Sequence, residues 1–140
     1  MDRKKLITAI DGSIHSSQVI DQTIEYARLL HADVVLVHCH KKFPTLLGEP
    51  QRNSHIASII SAAEELIKPY LKRFSNAEIT CDPRLLEEPA AAMIIDVARL
   101  EGCDLIIMGS RGLGNLSGLI LGSVTNKVLQ GAPCSVLVVR

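Results

Sequence analysis

Tryptophan is absent from this 140-residue chain, and phenylalanine and tyrosine occur only twice each. So little aromatic surface leaves nothing on which single-stranded bases could stack. Net charge is missing too: 15 basic residues balance 15 acidic ones. With no lysine-rich run or basic tail, broad electrostatic binding to nucleic acid or an anionic membrane is not expected. Long apolar runs are also lacking. The opening "MDRKKLITAIDGS" breaks at Asp11 after five apolar or small residues, so neither a signal peptide nor a membrane span is expected there, and the chain reads as cytoplasmic. The four cysteines (39, 81, 103 and 134) lie far apart, without a C-x-x-C pair or metal-ligand spacing. Each sits in or beside an apolar run, where a free thiol behaves as a small hydrophobe.

What is present is the composition of one globular domain over residues 1–140, 47% hydrophobic and 21% charged. "LITAI" (6–10) reads as a strand ended by Asp11-Gly12-Ser13. Val19, Ile20, Ile24, Ala27 and Leu30 recur at helical spacing, with Ser16 or Ser17 placed to cap the helix. "DVVLVHC" (33–39) is a β-branched run typical of a strand covered on both faces. A loop over 40–52 precedes a helix from about 54 to 74, whose stripe includes Ile56, Ile59, Ile60, Ala63, Leu66 and Ile67. Pro69 should kink or thin its last turn.

"AEITCD" (77–82) reads as a weaker edge strand. Pro89 can open a helix that runs to about Glu101 and stops at Gly102, with Met93, Ile94, Val97, Ala98 and Leu100 inward. "DLIIM" (104–108) is a buried strand, 123–130 a short helix and "CSVLVV" (134–139) the last strand. Five strands alternating with four helices predict a doubly wound α/β fold around a mostly parallel sheet. Strand order 3-2-1-4-5 would set the first and fourth strands side by side.

Ligands of such sheets bind beyond the carboxyl ends of the strands, where strand order reverses. The turns after strands one and four, "DGS" (11–13) and "GSRGLGNLSG" (109–118), are therefore the candidates. No lysine follows a glycine here, so the stretch is not a P-loop. A G-x-G-x-x-x-G reading at Gly112, Gly114 and Gly118 follows the wrong strand for a dinucleotide fold and lacks the acidic residue that would hold a ribose. What remains is an anion seat made of backbone. Gly109 and Gly112 permit close approach, and Gly122-Ser123 opens a helix whose free N–H groups favour negative charge. Ser110, Ser123 and Thr125 add hydroxyls and Arg111 a cation.

Gly109-x2-Gly112-x9-Gly122-Ser123 resembles the G-2x-G-9x-G-(S/T) signature of nucleotide-binding universal stress proteins, and the resemblance spans the chain. "AIDGSIHS" (9–16), "VVLVHC", "DLIIMGSRGLG" and "GSVTNKVLQGAPCSVLVV" are similar to that family's successive strands, turns and closing helix. The resemblance implies ATP, or ADP or AMP, as ligand. Asp11 would then lie by the adenosine beside the backbone of Ala9 or Ile10. Cys39 would meet adenine through its main chain. Met108, Gly109, Arg111 and Gly112 would approach ribose and phosphates, and Gly122, Ser123 and Val124 would seat the phosphates. Mg²⁺ commonly accompanies a polyphosphate. Glu87-Glu88-Pro89 departs from relatives that carry a glycine shortly before this proline. The resemblance also implies a homodimer through the last strand (134–139), which would cover a flat apolar edge.

Catalytic machinery is not expected. No acidic residue occurs from Met108 to Arg140, Asp11 is the one carboxylate placed in the crevice, and His15 and His38 read as structural. Slow ATP hydrolysis or autophosphorylation on Ser or Thr stays open. The leading expectation is a stress-response or regulatory module whose nucleotide state tunes its dimer or an unidentified regulated protein. A nucleotide-independent dimeric interaction module is the alternative. An ATP pyrophosphatase would need an S-G-G-x-D-S type loop where this chain has "DGSIHS".

Overall fold

A computed structural model describes residues 3–110 and 121–140. Strand β1 (Lys4–Ala9) is followed by helix α1 (Ser16–Leu30), β2 (Ala32–His40), α2 (Gln51–Asn76), β3 (Cys81–Glu87), α3 (Ala90–Glu101), β4 (Leu105–Gly109), α4 (Ser123–Gly131) and β5 (Ser135–Val139). The sheet order is β3-β2-β1-β4-β5 and every pairing is parallel. β1 thus sits between β2 and β4, and the chain reverses its direction of winding there.

Alternation along the central strands divides the core in two. Leu6, Val34, Leu36 and Ile107 pack with Ile20 and Phe74 under α1 and α2. Ile7, Val35, Val37 and Ile106 pack with Ile94 and Val128 under α3 and α4. Both faces of the sheet are therefore buried, which is why β2 is apolar at consecutive positions. Each fully buried Leu or Ile contributes about 1.5–3 kcal/mol relative to exposure.

Several local expectations change in the folded chain. The third strand is displaced, covering Cys81–Glu87 rather than 77–82. Its edge position holds, and pairing with Val34 through His40 fixes its register. Helix α2 begins at Gln51 and passes Pro69 without a break to Asn76. Pro69 lies on the exposed face, as does Glu65, whose carbonyl it leaves without an N–H donor and open to water.

Leu30, Ile60 and Leu100, expected inward, are exposed at 39%, 36% and 87%. Leu100 stands roughly 120° around α3 from Ile94, outside the buried stripe. Ser16 lies within α1 rather than capping it. His15 holds the N-cap position and no side chain caps the helix.

Candidate functional site

The carboxyl ends of β1, β2 and β4 open into one cavity of about 570 Å³. Ala9, Ile10 and Asp11 leave β1, Val37 to Lys41 leave β2, and Met108 and Gly109 leave β4. Gly122 to Thr125, opening α4, close one side, and Ile59, Ala62, Ala63 and Leu66 of α2 form an apolar wall. The site follows from strand order: the β1–β4 adjacency is the switch point, where connections depart to opposite faces and leave a crevice.

The turn after β1 is held from within. Asp11 Oδ1 accepts from the Ser13 backbone N–H at 2.9 Å and from Ser16 Oγ at 3.4 Å. Ser13 Oγ accepts from the His15 N–H at 3.3 Å. Gly12, at φ +80°, occupies the left-handed region, and a Cβ there would stand 2.5 Å from Leu66 Cδ1. The backbone conformation favours glycine there, and a Cβ would further oblige the Leu66 side chain to move.

Helix α4 presents its N-terminus to the same space. Gly122 is the N-cap with φ −68° and ψ 160°, no side chain caps the helix, and no acidic residue occupies its first turn. Among the described residues no side chain meets the first N–H groups, and a helix start of this kind suits an anion. Thr125 Oγ1 donates to Gly109 O at 2.7 Å, and the Gly122 N–H donates to Ser110 O at 2.7 Å. These two bonds tie the helix start to the end of β4. Thr125 therefore uses its hydroxyl on the fold, while Ser110 is buried and does not line the cavity.

His38 and His40 are buried at the end of β2. Their Nδ1 atoms lie 2.9 Å from Ile10 O and 2.8 Å from Lys41 O. A carbonyl only accepts, so each ring carries its proton on Nδ1. Burial, aided by the Glu88 charge, raises the Cys39 thiol to about 11, and burial first of all raises Cys81 and Cys103 to about 12. These thiols stay protonated near neutral pH, as small hydrophobes do.

Ala9, Ile10, Asp11, Cys39, Met108, Gly109, Gly122, Ser123 and Val124 all line the one cavity. Arg111 and Gly112, like Gly114 and Gly118, lie outside the described residues. The sequence placed Ser13 in a candidate turn and suggested Ser16 as a helix cap, but it gave no sign of His40, Lys41, Glu88 and the α2 wall as lining of the cavity. Following β2 two residues further would have found His40 and Lys41. No local signal marks the wall, because α2 reaches the site only through packing. Among the described residues no group of three His, Cys, Asp or Glu is placed to hold a metal, and no helix is long and apolar enough to cross a membrane.

A family model described as the universal stress protein family matches residues 2–140. The chain belongs to the universal stress protein family. It is 35% identical over 141 residues to the Thermus aquaticus universal stress protein in the QAH/OAS sulfhydrylase 3′ region, covering 98% of each chain. Among solved structures it resembles universal stress protein UspA from Lactobacillus plantarum, with TM-score 0.86, 18% identity and full coverage of both chains. The Archaeoglobus fulgidus universal stress protein solved in complex with dAMP matches at TM-score 0.63 and 19% identity, over 100% of both chains. A universal stress protein family protein from Arabidopsis thaliana with AMP bound matches at TM-score 0.68 and 15% identity, over 97% of this chain and 90% of that one.

Proposed function

We propose that this universal stress protein binds an adenine nucleotide, ATP or its di- or monophosphate, in the cavity at the ends of β1, β2 and β4. The observation that carries the reading is the joining of three elements in one cavity. Strand ends with small or apolar residues meet a carboxylate turn and a helix N-terminus whose N-cap is a glycine. The base would rest against Ala9, Cys39 and Met108, the ribose beside Asp11 and Ile10, and the phosphates on Gly109 and on Gly122, Ser123 and Val124. Arg111 and Gly112 would complete the phosphate end. Similar folds solved with dAMP and AMP support adenine as the base. Magnesium would arrive on the polyphosphate and neutralise part of its charge.

The protein acts in this reading as a cytoplasmic binding module rather than an enzyme. Asp11 turns one oxygen inward to Ser13 and Ser16, which positions the turn, and its other oxygen would accept from a ligand hydroxyl. Nucleotide binding alters the contacts of a homodimer or of a regulated protein, by favouring one conformation over another. The dimer would form along β5, whose residues Val136 to Val139 are only half-buried at the free edge of the sheet.

The test is the nucleotide content of freshly purified protein, followed by calorimetry of the stripped protein with ATP and AMP. Gly122→Val should lower affinity by at least about tenfold, or roughly 1.4 kcal/mol. Valine adopts the backbone angles of Gly122 without strain, so the variant should fold. A folded variant that binds as tightly as the parent would refute the anion seat.

A further inference from the structure

We propose that Glu88 reads the 6-amino group of the base at the β2 end of the cavity, so that this chain selects amino-bearing purines through a side chain of its own. The inference rests on the nucleotide reading above and deepens it. Glu88 stands just past the end of β3, where Glu87 is the last residue paired with β2, opposite His40. The Glu88 backbone N–H donates to His40 O at 2.9 Å, which pins the residue beside the end of β2. Pro89 follows and fixes the entry to α3. Glu88 lines the cavity together with Cys39 and Ala90. Its charge also reaches the Cys39 thiol.

The two neighbouring carboxylates are employed differently. Glu87 Oε2 accepts from the Phe43 backbone N–H at 3.1 Å and so fastens the loop after β2. Glu88 makes no side-chain hydrogen bond or ion pair among the described residues, and neither does the ammonium of Lys41, the cation that shares this rim. An acceptor-only group held at a cavity rim, with no partner among the described residues, is suited to a donor on the ligand. A base laid on Ala9, Cys39 and Met108 would have the β3–α3 turn beside it, since Glu88 and Ala90 line the same cavity. There the 6-amino group of adenine supplies two donors, a bare C–H supplies none, and a 6-keto oxygen meets the carboxylate with like charge. A site built around such a bond rejects ligands that lack it.

The probes are AMP and purine riboside 5′-monophosphate, which is AMP without the 6-amino group, titrated calorimetrically into the stripped full chain. The parent should prefer AMP by about tenfold, the range of a charge-assisted bond at a partly exposed site. Glu88→Ala should bring the ratio near one by weakening AMP alone, and Glu88→Gln, which keeps an acceptor oxygen, should restore part of it. The ratio is insensitive to any uniform change in charge repulsion, and both variants alter an exposed side chain. If AMP binds but the ratio is unchanged in Glu88→Ala, the assignment of Glu88 is overturned and the nucleotide site stands. If neither ligand binds the parent, the nucleotide reading fails and takes this inference with it.

Discussion

Replacing Gly12 by alanine should destabilise the fold by about 2 kcal/mol, and the structure separates the contributions. An L-residue held at φ +80° is strained by about 1–2 kcal/mol. The new Cβ also meets Leu66 Cδ1 at 2.5 Å. That atom is the end of a flexible side chain, so Leu66 can turn off its rotamer for about 0.5–1.5 kcal/mol. Reduced freedom of the unfolded chain returns about 0.4–1 kcal/mol. At roughly 2.1 cal/mol/K per residue of unfolding entropy, 2 kcal/mol lowers the Tm of 140 residues by about 7 °C.

Urea unfolding of the parent, Gly12→Ala, Leu66→Ala and the double variant gives the cycle. In the Leu66→Ala background the clash disappears and only the backbone strain persists, so the alanine should be roughly 1 kcal/mol less harmful there. Additive effects would show that the Leu66 approach is not felt. A Gly12→Ala protein within about 0.5 kcal/mol of the parent would refute the strain argument, and with it the account of how the Asp11 turn is held.

Alkaline conditions should weaken the fold. Burial holds Cys39 near 11 and Cys81 and Cys103 near 12, above the ordinary 9.0 of the thiol. Between those values the unfolded chain has released protons that the folded chain keeps, so stability is full below pH 9 and falls as pH rises through 11 to 12. Cys81→Ser should flatten that decline in denaturant midpoints, and an unchanged slope would count against thiol burial as its cause. On β5, Val138 belongs to neither core cluster, whereas Val136 and Leu137 do. Val138→Asp should therefore dissociate a dimer formed along this strand while leaving the monomer folded. Unchanged sedimentation would exclude the interface.

Much of the architecture was legible because its signals are local. The apolar β-branched runs of β1, β2 and β4 announce strands covered on both sides. Gly102 ends α3 in the left-handed conformation at φ 62°, as a glycine after an apolar stripe suggests. Less legible was the edge. β3 lies where β2 offers partners, over "CDPRLLE" rather than the more strand-like "AEITCD", and Pro83 is tolerated because an edge strand need not donate at every position. Leu100 shows the same limit in a helix: its residue type suggests burial, and its angle around α3 decides exposure.

The sequence by itself determined the chemistry of the candidate site, because glycines, small hydroxyl residues and Asp11 occupy the turns that end strands. Those turns are local, and the spacing from Gly109 to Ser123 carries the family resemblance. Tertiary structure alone decided which residues share the cavity. Only the β1–β4 adjacency brings Asp11 to Met108 and Gly109. Only the docking of α2 on the sheet sets Leu66 over Gly12 and lays Ile59, Ala62 and Ala63 along the wall. Glu88 reaches the rim because β3 pairs with β2 as far as His40 and stops there. Such placements depend on contacts between residues distant in the chain, and burial on two opposed sheet faces fixes them together.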